Sequence, residues 1–222
     1  MKLLALALGL ALAGAADAAI VFVDTGHDPA RQGARAQDGT WEHALNRAIA
    51  RELIAELRRR GHEVRDVEGE GYNRSLVGRV LDTHQADAFI SIHHDSIQPV
   101  LVEEGRAGEF AGFAVFVSGQ AQDLDGSLRC AISVGEAMLR AGEKPSLHHA
   151  AAIPGENRRL LDRARGIHRY DGLAVLRHAQ APAVLLEVGV MVNPDELAKL
   201  RSPAWQRATA AHVAAGIEAC AG

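Results

Sequence analysis

The sequence predicts an α/β fold, a single domain in which a twisted, largely parallel sheet is flanked by helices on both faces. Two observations support this prediction. Short runs rich in β-branched or aromatic residues recur along the chain with turn residues nearby. Stretches with apolar residues at helical spacing lie between them. Strands that alternate with helices in this way are typical of parallel sheets, because each helix carries the chain back to the edge where the next strand begins.

The individual elements follow from these patterns. Strands are predicted at residues 19–24, 62–67, 86–93, 112–118 and 182–189. The clearest helix lies between the first two strands, where Leu45, Ile49, Leu53 and Leu57 recur at helical spacing and Gly61 provides a stop. Further helices are predicted over residues 75–84, 122–140 and 203–219.

The first 18 residues have the composition of a secretory signal peptide, with one lysine, a Leu/Ala stretch and small residues at the end. Their apolar run is shorter than the about 20 residues that a membrane-spanning helix needs. Residues 19–222 are predicted to form one domain with no transmembrane segment. The protein is therefore expected to be exported, to the periplasm or the cell envelope.

Charge and cysteine content narrow the range of partners. The net charge is −4, and acidic and basic residues are mixed along the chain, so neither nucleic acid nor an acidic membrane surface is indicated as the main partner. Cys130 and Cys220 are the two cysteines. In an oxidising compartment they can form a disulfide, but two separate buried thiols fit the sequence equally well.

Polar side chains follow three of the predicted strands. His27 comes after the first strand, His93 and His94 end the third, and Glu187 ends the last. In open parallel sheets the functional sites lie beyond the carboxyl ends of the strands, so these side chains should converge on one rim. Because side chains alternate along a strand, only one of the two adjacent histidines can point at a given site. Alternation alone does not choose between them.

Glu42 adds a carboxylate to this rim. Its place in the first turn of the long helix is favoured by the helix dipole. It also shares the inward-facing stripe of Leu45 and Ile49, and a carboxylate that points inward must be paired or bound to a cation. Two imidazoles and one carboxylate match a zinc site with three protein ligands and a fourth position for water.

Four ordered stretches resemble the zinc-dependent N-acetylmuramoyl-L-alanine amidases of the Amidase_3 type. "VDTGHDP" resembles the strand-end D-x-G-H motif of that family, and "WEHALNRAIARELIAELRRRGHEV" resembles its Glu-led helix. "NRSLVGRVLDTHQADAFISIHHD" is similar to the block that ends in I-S-I-H-x-N. "PAVLLEVGVMVNPDE" is similar to the block P-x-V-L-x-E-x-G-F-x-x-N. The resemblance extends from about Ile20 to Ile217.

The resemblance implies an activity and a set of site residues. The family cleaves the amide between the lactyl group of N-acetylmuramic acid and L-alanine of the stem peptide, so peptidoglycan is the expected partner. His27, Glu42 and His93 are then the Zn²⁺ ligands and Glu187 the catalytic carboxylate. His94 takes a variable position of the motif, which makes it a neighbour of the site.

Other assignments are less direct. The resemblance assigns substrate contact to Arg79 and Asn193, although a solvated charge on a helix also fits Arg79. Asp28, Asp95 and Val190 stand where the family has Gly, Asn and Phe. None of these three departures removes a ligand, so they affect substrate detail more than the chemistry.

Several alternatives remain open at this stage. Glu187 could instead form a structural ion pair with Arg177 or Arg79. Residues 97–112 could form a regulatory flap over the metal or an ordinary solvated loop. His148 and His149 are expected to face solvent rather than to act as ligands.

Two rival functions also remain. A zinc carboxypeptidase or endopeptidase would cut within the stem peptide, so its products would differ from those of an amidase. A non-catalytic cell-wall-binding module would be expected to have lost Glu187 or a ligand, but all four residues are present. A protein activator stays a further option.

Overall fold

The computed structural model describes residues 18–69 and 75–222. Seven strands form a single sheet: β1 Ile20–Thr25, β2 Glu63–Asp66, β3 Ala88–Asp95, β4 Ala114–Val117, β5 Arg159–Asp162, β6 Ile167–Arg169 and β7 Ala183–Val190. Their order across the sheet is β2-β1-β3-β7-β4-β6-β5. The five predicted strands are all present, and β5 and β6 extend the sheet beyond them.

Within the described residues, six α-helices accompany the sheet: α1 Glu42–Arg59, α2 Pro99–Glu103, α3 Leu124–Arg140, α4 Ala174–His178, α5 Pro194–Leu200 and α6 Pro203–Ala221. Local sequence explains where they begin and end. Asp123 caps α3 by accepting a hydrogen bond from the backbone N–H of Gly126. Pro203 occupies the first turn of α6, and Gly61, with φ 97°, supplies the left-handed turn after α1.

The strand directions put several chain segments at one rim. Strands β2, β1, β3 and β7 are mutually parallel, whereas β4 runs antiparallel to β7 and β5 antiparallel to β6. The carboxyl ends of β1, β3 and β7 therefore meet at the same edge. The prediction of a largely parallel sheet flanked by helices is confirmed.

The two faces of the sheet carry different cores. The three long helices, α1, α3 and α6, pack together on one face. This larger core includes Ile49, Leu53, Ile90, Met138 and Leu186. The smaller core on the other face includes Phe22, Phe89, Phe116, Leu176 and Leu185, and is covered by the short helix α4. Side chains that point to the face of the smaller core are therefore covered by less protein than those that point to the face of the larger core.

The prediction of a helix over residues 75–84 is wrong. The structure has only two short 3-10 turns there, Gly78–Val80 and Thr83–Gln85. Side chains bond to the nearby backbone instead: the Ser75 hydroxyl accepts from the N–H of Gly78, and the Thr83 hydroxyl donates to the carbonyl of Val80. Such local bonds compete with helical ones.

The two cysteines form a disulfide. Cys130 on α3 and Cys220 on α6 have Cα atoms 5.0 Å apart and are bonded. The alternative of two separate thiols is therefore not the state of this structure. No described helix is long and apolar enough to cross a membrane. The predicted signal peptide lies, except for Ala18, outside the described residues.

Candidate active site and metal centre

The turn after β1 places His27 at the rim of the sheet. Its backbone is left-handed, with φ 69°, which is uncommon for a residue other than glycine and costs energy unless the surroundings impose it. Two contacts impose it here. The N–H of Gly26 donates to the carbonyl of Ile92 at 2.9 Å, and the guanidinium of Arg79 donates to the carbonyl of His27.

Glu42, the first residue of α1, joins the two predicted histidine ligands. Its Oε2 lies 2.8 Å from Nε2 of His27, and its Oε1 lies 2.9 Å from Nδ1 of His93. One ligand atom from each residue lies within 4.8 Å of the others. The hydrogen bonds from the histidines outweigh burial and hold the pKa of Glu42 well below its usual range, so the carboxylate is anionic.

The donor set fits a zinc ion. Two imidazole nitrogens and a carboxylate oxygen are common zinc ligands, and ligand atoms about 2.0 Å from a tetrahedral ion lie about 3.3 Å from one another. The observed 2.8 and 2.9 Å separations need to open by only a few tenths of an ångström. A Cβ at Gly26 would collide with His93, and one at Gly33 with Glu42, so glycine is required beside the ligands.

Asn46 supports this group from α1, one helical turn after Glu42. Its Nδ2 donates to the carbonyl of Gly26 at 3.1 Å and to Oε1 of Glu42 at 3.3 Å. Its Oδ1 lies 2.8 Å from Nδ1 of His94. Burial lowers the pKa of His94 to about 3, so this ring is neutral and donates to Asn46. Asn46 was not predicted from the sequence, although its spacing of four residues from Glu42 was a signal.

His94 and His93 therefore point to opposite faces. His94 contacts α1 on the face of the larger core, whereas His93 reaches the rim of the other face. The structure brings His93 to Glu42 and His27, as predicted. Whether these three residues bind a metal stays a prediction.

Glu187 lies on β7 directly beside His93 on β3. Its Oε2 is inaccessible to solvent and has no hydrogen-bond partner within the described ranges. Burial raises the pKa of Glu187 well above its usual value, and the negative charges of Asp95 and Glu42 raise it further, with a partial offset from His149. A carboxyl group of raised pKa beside this group suits proton transfer.

The predicted alternative for Glu187, an ion pair with arginine, is absent among the described residues. Arg177 is exposed on α4. Arg79 is buried, and its guanidinium bonds to Oδ1 of Asp24 and to the carbonyl of Thr25, both at 2.9 Å. Arg79 is thus no solvated helix charge: it holds the end of β1. Its predicted contact with substrate stays a prediction.

Asn193 has a structural task at the start of α5. Its Oδ1 accepts from the N–H groups of Asp195 and Glu196, and its Nδ2 donates to the carbonyl of Phe110. The last bond ties α5 to the segment 97–112, which contains α2 and a short 3-10 turn. The substrate role of Asn193 and the flap role of that segment stay predictions.

A pocket of about 300 Å³ opens beside the ligand group on the face of the smaller core. His27 and His93 form one end of it. Much of the remaining wall is apolar, contributed by Leu76, Leu173, Val175 and Leu185. A small substrate segment can therefore be buried next to the ligands.

The prediction that His148 and His149 face solvent is wrong. Their side chains are only 10% and 12% exposed, and their Nε2 atoms lie 3.2 and 2.8 Å from Oδ2 of Asp95. Burial by itself would lower the pKa of His149, but its hydrogen bonds to Asp95 and Glu156 raise it to about 10. The loop lies against the end of β3 because His149 pairs with two carboxylates, Asp95 and Glu156.

A sheet rim that gathers two histidines, one anionic glutamate and a second glutamate of raised pKa defines the chemistry of a metal-assisted hydrolase. The chain belongs to the N-acetylmuramoyl-L-alanine amidase family Amidase_3, which it matches over residues 21–219. The resemblance seen in the sequence is confirmed. Members of this family are typically metal-dependent, in agreement with the His27, Glu42 and His93 group.

Individual proteins are similar over most of the chain. AmiC of Neisseria meningitidis serogroup B, an N-acetylmuramoyl-L-alanine amidase, is 26% identical over 215 residues, which are 90% of this chain and 52% of AmiC. The uncharacterized protein YqiI of Bacillus subtilis is 27% identical over 221 residues, which are 95% of this chain and 92% of YqiI. This chain thus spans about half the length of AmiC and nearly all of YqiI.

The fold also matches solved structures. The N-acetylmuramyl-L-alanine amidase Ami1 of Mycobacterium smegmatis superposes with a TM-score of 0.72 at 22% identity, over 91% of this chain and 96% of that one. The single-domain sheet flanked by helices is therefore shared with that amidase. Family membership and the similarity to AmiC together support N-acetylmuramoyl-L-alanine amidase function for this domain.

Proposed function

We propose that this protein hydrolyses the amide between the lactyl group of N-acetylmuramic acid and L-alanine of the peptidoglycan stem, with Zn²⁺ held by His27, Glu42 and His93. The observation that carries the proposal is the convergence of these three side chains beside the buried carboxyl of Glu187. The family to which the chain belongs supports the choice of substrate.

The residues of the site divide the chemistry between them. Bound zinc would supply a Lewis acid that lowers the pKa of water to about 7 and polarises the scissile carbonyl. Glu187 accepts the proton of the attacking water and delivers it to the amine of the leaving alanine. Its raised pKa suits this role because the carboxyl must hold the proton between the two steps.

The pocket beside His27 and His93 receives the substrate around the scissile bond. Its volume of about 300 Å³ and its apolar wall suit the methyl groups of the lactyl and alanyl units. Arg79 and Asn193 are proposed to contact the substrate. Arg79 lines this pocket, and both side chains also hold nearby backbone through hydrogen bonds.

We further propose that residues 1–18 are a signal peptide and that residues 19–222 form the catalytic domain, exported to the periplasm or the cell envelope. The composition of the first 18 residues supports this proposal. The disulfide between Cys130 and Cys220 supports it independently, because such bonds persist in oxidising compartments.

Digestion of intact peptidoglycan tests the activity. The purified protein is assayed as isolated, after removal of metal by a chelator, and after addition of zinc to the stripped protein, and the products are identified by mass spectrometry. We expect free stem peptides that begin with L-alanine, lost on stripping and restored by zinc. Fragments cut within the stem would instead indicate a peptidase, and zinc-loaded protein that binds the wall without releasing products would indicate a binding module.

A further inference from the structure

A second cluster of ligand-type side chains lies outside the group formed by His27, Glu42 and His93. Asp95, at the carboxyl end of β3, meets His148 and His149 from the loop after α3. The two imidazole rings lie side by side, with centroids 4.0 Å apart and planes inclined by 36°. Both present Nε2 to the same oxygen, Oδ2 of Asp95, at 3.2 and 2.8 Å.

The protons of this cluster do not satisfy all of its atoms. His149 can donate from Nε2 to Asp95 and from Nδ1 to Glu156, 3.0 Å away, only as an imidazolium. The charge on His149 does not provide a partner for Nε2 of His148. Its Nε2 is buried and has no hydrogen bond of acceptable geometry in the part of the chain that the structure describes, although it lies 3.2 Å from the same carboxylate. A cation between the three atoms would engage all of them.

The spacing suits such a cation. Ligand atoms of a tetrahedral zinc site lie about 3.3 Å apart, and the two nitrogens lie 3.2 and 2.8 Å from the carboxylate oxygen. In the group around Glu42 the corresponding separations are 2.8 and 2.9 Å. The second cluster therefore needs no more rearrangement to bind an ion than the first.

The outer contacts of the cluster are those that metal-binding histidines require. Such histidines usually donate their other ring N–H to a carboxylate or another acceptor, which fixes the ring orientation. Nδ1 of His149 lies 3.0 Å from Oε2 of Glu156, and Nδ1 of His148 lies 2.8 Å from Oγ of Ser146. Once a bound ion displaces the Nε2 proton of His149, both Nε2 atoms can act as ligands.

The loop that carries the histidines is anchored for this purpose. The N–H of Arg158 donates to the carbonyl of His149, and its guanidinium stacks on the ring of Tyr170 at 3.8 Å. Gln98 donates to the carbonyl of Pro154 from the other side. Asn157 takes a left-handed backbone, with φ 67°, to close the turn.

We propose that Asp95, His148 and His149 form a second zinc site, which ties residues 146–158 to the end of β3 beside Glu187. Two imidazoles and a carboxylate are a ligand set that zinc favours, and the remaining position is open to water. The ion fixes the wall of the active site next to the catalytic carboxyl. The site exists independently of the amide hydrolysis proposed above.

Zinc stoichiometry tests this proposal. Mature protein is stripped of metal, loaded with zinc, freed of weakly bound ions by gel filtration and analysed by inductively coupled plasma mass spectrometry. We expect two zinc ions per wild-type chain, one in His149→Gln, one in Glu42→Gln and none in the double variant. His178→Gln removes an exposed histidine of α4 and should retain two ions.

A titration of the wild type with Co²⁺ avoids the risk that a variant fails to fold. Visible absorption should rise until two equivalents are bound, and circular dichroism establishes whether each variant is folded. One tightly bound ion in the wild type, unchanged in folded His149→Gln, would overturn the second site and leave an imidazolium paired with two carboxylates. Loss of the ion only in Glu42→Gln would still support the first site, so the two proposals fail separately.

Discussion

Glu42 and Glu187 are two carboxyl groups of one site whose pKa values are shifted in opposite directions. Hydrogen bonds from His27 and His93 outweigh burial and keep the pKa of Glu42 low, which suits its proposed role as a metal ligand. Oε2 of Glu187 meets no such donor within the described residues, and burial and the charges of its neighbours raise the pKa of Glu187. Carboxyl groups in contrasting environments take different roles, one as a ligand and the other in proton transfer.

Replacement of Glu187 by glutamine tests this division at the scale of a single residue. We expect turnover to fall by about 10²–10⁴-fold, because the amide cannot accept the proton of water. Zinc binding should be retained, because Glu187 is not among the proposed ligands. Release of stem peptides and zinc content are measured on the same preparation.

Glu63→Gln is the matched control, since Glu63 is an exposed carboxylate on β2. It should leave both turnover and zinc content unchanged. A Glu187→Gln variant that keeps wild-type turnover would contradict the proposed role, and a variant that loses zinc would indicate that Glu187 acts as a ligand.

The sequence predicted that His27, Glu42 and His93 lie close together, because each of them follows a recognisable local signal. His27 and His93 mark strand ends, and Glu42 lies on the inward stripe of a helix. The alternation of side chains along β3 does not distinguish His93 from His94. The family motif does, and it assigns the ligand position to His93. The cluster of Asp95 with His149 carried no local signal, since the partners are 54 residues apart and meet only when a loop closes.

At the scale of elements, the turn after β1 depends on a residue from the segment between β2 and β3. Arg79 is buried, bonds to Asp24, and donates to the carbonyls of Thr25 and His27. Ser91 donates to the other oxygen of Asp24 at 2.7 Å. His27, a proposed zinc ligand, is therefore held in its left-handed conformation by side chains of three separate segments.

Replacement of Arg79 by methionine should disturb this turn. We expect the free energy of unfolding to fall by about 3–5 kcal/mol, because the buried charge of Asp24 loses its partner. Zinc affinity should fall by about 10–100-fold, as it does when residues that orient metal ligands are lost. Urea denaturation and competition with a chromophoric chelator measure the two effects.

Arg177→Met provides the control, because Arg177 is exposed on α4. It should change neither quantity appreciably. Adding Asp24→Asn to Arg79→Met should recover part of the lost stability, because no buried charge is then left unpaired. An Arg79→Met variant with unaltered zinc affinity would show that the turn orients His27 without this arginine.

The elements that the sequence predicted are those with strong periodicity. The long helix α1 and the apolar strands β1, β3 and β7 bury many side chains, so tertiary packing reinforces their local preferences. Strands β5 and β6 are short and polar. Strand β6 forms by pairing with the edge of β4, and β5 forms by pairing with β6. The failed helix over residues 75–84 shows the converse, because its backbone bonds to local side chains.

At the scale of the whole molecule, the disulfide joins two helices of the larger core. Cys130 on α3 and Cys220 on α6 are separated by 90 residues in sequence. The disulfide holds α6 against α3, and α6 in turn packs on α1. The candidate active-site pocket opens on the other face of the sheet, beside the smaller core.

Replacement of both cysteines by alanine should lower the free energy of unfolding by about 2–5 kcal/mol, because a link across a long loop restricts the unfolded chain. In a protein of this size each 1 kcal/mol shifts the melting temperature by roughly 2–4 °C. Dithiothreitol should lower the melting temperature of the wild type by a similar amount and leave the variant unchanged. Free thiols in the unreduced wild type, or a wild type insensitive to reductant, would contradict the disulfide. Since the proposed zinc ligands lie at the carboxyl ends of β1 and β3, at the start of α1 and in the loop after α3, away from both cysteines in sequence, the variant should retain its zinc at temperatures below its own melting point.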